Sequence, residues 1–271
     1  MLDNLIEVFS YAFMIRAALA GSLISLCAAL LGVSLVLRRC SMIGDGLSHV
    51  GFGALVVAFA LHAAPLAVAI PVVGGAAFLL LRLSEDGKIA GDAAIALVST
   101  SSLALGAIVI SKTSGMNVDV YNYMFGSILS ISEADTYLCL FLSVVLIVMF
   151  VLCYDGIFAV TFDETFARAC GIDAGAYNVV IALLTAMTIT LGMRMMGALL
   201  ITSLIIFPPI TSMRVFKKFK SVVICSAVLS VTCFLAGIIL SCLFYTPAGA
   251  SVVAANMAAF AVFSVIAMLK S

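Results

Sequence analysis

The chain has little charge: only 10% of its 271 residues are Asp, Glu, Lys or Arg, against about 25% in an average soluble domain. Its hydrophobic share is 65% and its mean hydropathy +1.33, more apolar surface than one water-soluble core can hide. A chain this apolar does not stay solvated, so intrinsic disorder is excluded as well. Net charge is also missing. Thirteen basic residues balance 13 acidic ones, which leaves no electrostatic footprint for nucleic acid. What remains is an all-α, polytopic membrane protein.

Further absences narrow the chemistry. Eight cysteines are present but no CxxC pair, and Cys27, Cys139, Cys225, Cys233 and Cys242 lie inside apolar runs. There a thiol behaves as a small hydrophobe. Asp3 and Glu7 stand where a signal peptide would carry basic residues, and the first apolar run is long and leads into Arg38-Arg39. A cleavable leader is not expected. No GxxxxGK[ST] loop occurs, so ATP is not bound by that route. HExxH, GxSxG and paired intramembrane aspartates are missing too, and the chain is not expected to be an enzyme.

A helix needs about 20 mostly apolar residues to cross the hydrocarbon core. Nine segments qualify: Met14–Leu37, Leu47–Ala64, Pro65–Leu83, Asp92–Ser111, Asp135–Tyr154, Tyr177–Gly192, Met196–Met213, Val222–Phe244 and Ala248–Leu269. Residues 1–271 thus form a single transmembrane domain. Pro65 marks the turn between the second and third spans, because proline suits a helix start. The sixth and seventh are short and could merge around Arg194, leaving eight. Pro208-Pro209 should bend or end the seventh.

Nine spans place Arg38, Arg39, Arg82, Lys88, Arg168, Arg214, Lys217, Lys218, Lys220 and Lys270 on one side. The other side receives only Arg16, Lys112 and Arg194. The positive-inside rule then puts the N-terminus outside and the C-terminus in the cytoplasm.

Two connections are more than turns. Met116–Ile131 is external, amphipathic and too polar to span; a short helix at a pore mouth and an interfacial anchor both fit. Phe158–Ala176 is the longest cytoplasmic connection. Its stretch from Asp163 to Arg168 places acids before base, as a helix dipole prefers, and Gly171 stands where a helix would end. Phe162 and Phe166, at i and i+4, would give that helix an apolar face for a soluble partner, or for the lipid headgroups.

Inside the membrane, charge is costly and marks function. Asp45 and His49 stand out in Gly44-Asp45-Gly46-Leu47-Ser48-His49. At i, i+4 they share a helix face, and a carboxylate oxygen with an imidazole nitrogen suits zinc, manganese or ferrous iron. Two ligands do not close a tetrahedral site, but a two-fold symmetry mate would supply two more. A structural reading stays open at this point: Asp45 as the N-cap of the second span and His49 as a polar contact between helices. His62, the other histidine, suits a capping or interfacial role.

These motifs line up with a known family. Leu37-Arg38-Arg39, Met42 to His49, Ser102 to Gly106, Val118-Asp119-Val120 with Phe125 to Leu129, Phe162-Asp163 with Ala167 to Gly171, Gly197 to Leu204 with Pro208-Pro209, and Thr246 to Gly249 occur in order. In this the chain resembles the membrane permease subunits of bacterial ATP-binding-cassette importers for zinc, manganese and iron, from about Phe13 to Leu269. It looks closest to the zinc uptake permeases.

The resemblance implies a type II, vitamin B12-type importer fold in the bacterial cytoplasmic (inner) membrane. It implies a permease homodimer, separate cytoplasmic ATPase subunits, and an extracytoplasmic metal-binding protein that delivers the ion. Asp45 and His49 would contact the transported Zn2+ or Mn2+, with no permanently bound cofactor. Thr161–Gly171, with Phe162, Asp163, Phe166, Arg168 and Gly171, would couple to the ATPase. Asp119 and Phe125 would belong to an external gate. Gly46, Pro209 and Val50-Gly51-Phe52 depart from the family's usual residues and remove no expected ligand. A secondary transporter working without an ATPase is the competing reading, followed by a membrane scaffold.

Overall fold

With no water in the hydrocarbon region, each backbone N–H and C=O must find a partner within its own segment, which leaves long apolar runs only the helix. The computed structural model describes residues 12–85, 91–113 and 133–270, and among them it contains helices and no strand. In chain order these are α1 (Ala12–Leu37), α2 (Ile43–Ala60), α3 (Pro65–Glu85), α4 (Gly91–Lys112), α5 (Glu133–Leu152), α6 (Tyr154–Phe162), α7 (Glu164–Ala169), α8 (Ala174–Met196), α9 (Ala198–Val215), α10 (Phe219–Phe244) and α11 (Ala248–Lys270). The external segment 116–131, with Asp119 and Phe125, lies outside the described residues.

Eight of these helices are long and apolar enough to cross a membrane. A ninth span arises if α5 and α6, bent by 67° at their junction, count as one. The nine expected segments therefore all reappear as helices. The fifth differs in its ending. Beyond Leu152 the chain turns and continues as α6 through Phe162, so much of the expected connection is helical.

The sixth and seventh segments do not merge. Gly197 takes φ 86° and ψ 160° between α8 and α9, a region open to glycine and closed to side chains with a Cβ. A Cβ placed on Gly192 would lie 2.4 Å from Ile201 Cδ1. In a continuous helix nine residues would separate those positions by about 13 Å. The chain therefore doubles back within a single residue.

At the interior, α1, α2 and α8 bury most of their length, whereas α4 and α11 are mostly exposed. The helices α2, α3 and α4 pack together on one flank and α9, α10 and α11 on the other, with α1 touching α8, α9 and α10. Pro208 and Pro209 do not end α9, which runs on to Val215. Pro209 has no N–H to give the carbonyl of Ile205, and Gly32 of α1 packs against that oxygen. A Cβ there would come within 2.2 Å of it. Close approach of backbones is how helices gain contact in lipid, where apolar burial alone drives nothing.

The expected basic side is visible as one end of the bundle. Arg38 reaches α6 and α8, and Arg82 and Arg168 line one cavity of about 480 Å³ with Asp173 and Asn178. Phe219, beside Lys217, Lys218 and Lys220, stacks on Phe158 and Phe162. At the other end Arg16 pairs with Glu133 at 2.6 Å.

Candidate functional site

The site begins where α1 stops. Arg39 adopts a left-handed φ of 60°, and the Cys40 N–H reaches back to the Leu35 carbonyl at 2.9 Å, the bond that closes a helix end. Ile43 N–H donates to the Cys40 carbonyl at 3.0 Å, and α2 follows at once. Met42, not Asp45, occupies the cap position, and no side chain caps this helix. The capping reading of Asp45 is thereby excluded. Asp45 lies inside the first turn, where the helix dipole favours its negative charge.

Ile43, Gly44, Gly46, Leu47, Ser48 and Val50 are all buried around the pair. On one side α4 comes so near that a Cβ on Gly46 would lie 2.6 Å from Ile95 Cγ2. Glycine at 46 therefore has a packing reason. Ser48 Oγ donates to the Asp45 carbonyl at 2.7 Å, and Ser102 Oγ of α4 donates to the His49 carbonyl at 3.2 Å. The turn is fixed by its backbone. Its two polar side chains are left for other work.

Those side chains are 48% (Asp45) and 22% (His49) exposed, with Asp45 Oδ2 3.7 Å from His49 Nε2. That is too long for a hydrogen bond. It does match the gap between two ligands of one ion, because bonds of about 2.1 Å at a tetrahedral angle span about 3.4 Å. Among the described residues no group of three or more His, Cys, Asp and Glu side chains gathers to hold a metal. The pair contributes two ligands and leaves an ion's other positions open. His62 sits apart, exposed just beyond the Leu61 cap of α2 with φ 51°.

The expected docking segment folds as two pieces. Phe162 is the last residue of α6, Asp163 is extended, and Phe166 belongs to α7. The two rings thus do not share a helix face, because Asp163 interrupts the helix to cap the next one: its Oδ1 accepts the Phe166 N–H at 2.9 Å. Phe162 stacks with Phe158 and Phe219, at centroid distances of 4.9 and 5.9 Å. Phe166 is 66% exposed. Arg168 pairs with Glu164 one turn earlier, and Gly171 ends the segment with φ 84°.

Asn178, which the sequence did not single out, joins these regions through Arg38. Arg38 Nη2 donates to Asn178 Oδ1 at 2.7 Å and to the Val160 carbonyl at 3.2 Å, and lies 3.9 Å from Glu164 Oε2. In the sequence Arg38 reads as a flanking base within the Leu37-Arg38-Arg39 motif, with no sign of its partners. The available signal was Asn178, an amide within an apolar run.

A family model described as the ABC 3 transport family matches residues 10–268. The high-affinity zinc uptake system membrane protein ZnuB of Buchnera aphidicola is 32% identical over 236 residues, 87% of this chain and 90% of that protein. The manganese transport system membrane protein MntC of Halalkalibacterium halodurans is 25% identical over 255 residues, 94% of this chain and 87% of that one. Among solved structures, PsaBC from Streptococcus pneumoniae in complex with Fab superposes with a TM-score of 0.87 at 23% identity, covering 100% of this chain and 99% of the other. The chain belongs to the ABC 3 transport family, and its fold is that of an importer permease.

Proposed function

We propose that this permease is the membrane subunit of an ATP-driven importer for a divalent transition metal, zinc first and manganese second. The observation that carries the reading is the partly exposed Asp45–His49 pair, 3.7 Å apart on an otherwise buried turn. Two copies of the chain about a two-fold axis would present two carboxylates and two imidazoles to an ion crossing between them. Incomplete coordination by each subunit suits transport, since the ion has to leave as well as bind. The zinc and manganese names of relatives at 32% and 25% identity support the substrate class.

In this reading the basic end of the bundle faces the cytoplasm, with the N-terminus outside. Separate ATPase subunits dock on α7 through Phe166, and their cycle drives alternating access of the pore. An extracytoplasmic metal-binding protein delivers the ion at the opposite face. Residues 116–131, including Asp119 and Phe125, are assigned to that face as a gate.

The test is uptake of radioactive zinc and manganese by cells carrying Asp45→Ala or His49→Ala. Loss of uptake by about 100-fold is expected for each, since a missing ligand costs at least as much as a missing partner of one. Wild-type accumulation by both variants would remove the pair from the mechanism. Co-purification addresses the ATPase: Phe166→Glu should release it, while retention would reject α7 as its docking element.

A further inference from the structure

We infer that Arg38 is a positioning residue for transport, the strut that carries displacement of α7 to the ion-binding turn of α2; this rests on the importer reading above. Little holds α7. It has six residues, and Ala167 is the one it buries, against Val160 and Ala174. Glu164 also ties it to the bundle. That carboxylate lies 3.9 Å from Arg38, accepts from Asn178 Nδ2 at 3.4 Å and pairs with Arg168 on its own helix.

Arg38 is the member that leads elsewhere. Its side chain is only 10% exposed, and it bonds α6 through the Val160 carbonyl and α8 through Asn178 while facing Glu164 of α7. A guanidinium suits this place because its planar fork serves several acceptors at once, which a lysine ammonium does not reproduce. From Arg38 the path to the ion pair is short and stiff. The five residues between α1 and α2 are pinned by the Cys40-to-Leu35 and Ile43-to-Cys40 bonds, with Cys40 itself buried. A shift of Arg38 has no slack to disappear into before it reaches Asp45. The ion pair that bridges α7 to the helix before the candidate site is thus set in the interior, where solvent screens it least.

The experiment compares complexes of the permease with its ATPase subunits in liposomes, reading zinc moved and ATP hydrolysed in the same vesicles. Arg38→Gln and Glu164→Gln should assemble and hydrolyse ATP within about twofold of wild type, with ions moved per ATP falling about tenfold, the scale of a lost coupling contact. Arg38→Lys should fall between, and Arg39→Gln, an exposed neighbour, should keep the wild-type ratio. A wild-type ratio in both Arg38→Gln and Glu164→Gln would overturn the proposal. So would failure of both to assemble, which would make the network a folding element only. Asp45→Ala separates the two readings. If it abolishes transport while Arg38→Gln transports normally, the strut falls and the importer stands; if Asp45→Ala and His49→Ala both transport normally, the site itself falls.

Discussion

Two carboxylate pairs begin within a few residues of one another, at Arg38 and at Asp45, and they are built oppositely, one joining a carboxylate to a guanidinium and the other to an imidazole. Asp45 and His49 stand 3.7 Å apart, both partly exposed, on a turn whose carbonyls accept from Ser48 and Ser102. Arg38 and Glu164 are largely buried and share Asn178 between them. The first pair has lone pairs to spare and room for a third body. The second has been closed by its neighbours. An unsaturated pair can pass something on, whereas a saturated one can only hold, and the molecule places the holding pair directly behind the passing one.

The comparison can be broken most forcefully at the open pair, where Asp45→Ala is expected to cost about 100-fold in uptake with little change in melting temperature. A large drop in melting temperature would instead mean that Asp45 holds the fold. Next in size is a packing change away from both pairs. Gly32→Ala drives a methyl into the Ile205 carbonyl, and overpacking of this kind costs about 1–3 kcal/mol. Thermal unfolding in detergent measures it, and an unchanged midpoint would show that α1 and α9 can separate freely.

Smaller again is Asp163→Ala, which removes the cap of α7 at about 1 kcal/mol. That should loosen α7 without touching metal binding, visible as faster amide exchange confined to residues 164–170. The smallest expected effect is that of a reductant. All eight cysteines are free thiols, so dithiothreitol should leave the melting midpoint where it was, and a shift would reveal a disulfide.

The sequence made the spans legible because a membrane admits few alternatives: each expected segment reappears as a helix, and Pro65 starts α3 as its fixed φ favours. Asp45 and His49 were legible as a pair because i, i+4 spacing needs nothing but a helix to bring them together. What was hidden depends on partners distant in the chain. The break after Leu152 has no proline or glycine at its junction to announce it, since Cys153 stands there. Asp163 reads as a first-turn acid until the extended backbone shows it to be the cap that splits Phe162 from Phe166. Arg38 meets Val160, Glu164 and Asn178 across more than a hundred residues, a meeting that no local pattern encodes.

One residue, Gly197, links two helices that each cross the membrane. Consecutive Cα atoms stand about 3.8 Å apart, so the ends of α8 and α9 that meet at Gly197 cannot slide past or part from one another, whatever angle the helices take. Whatever rearrangement opens and shuts the passage, those two ends must travel through it together, and any helix sliding along its length has to be sought away from that junction.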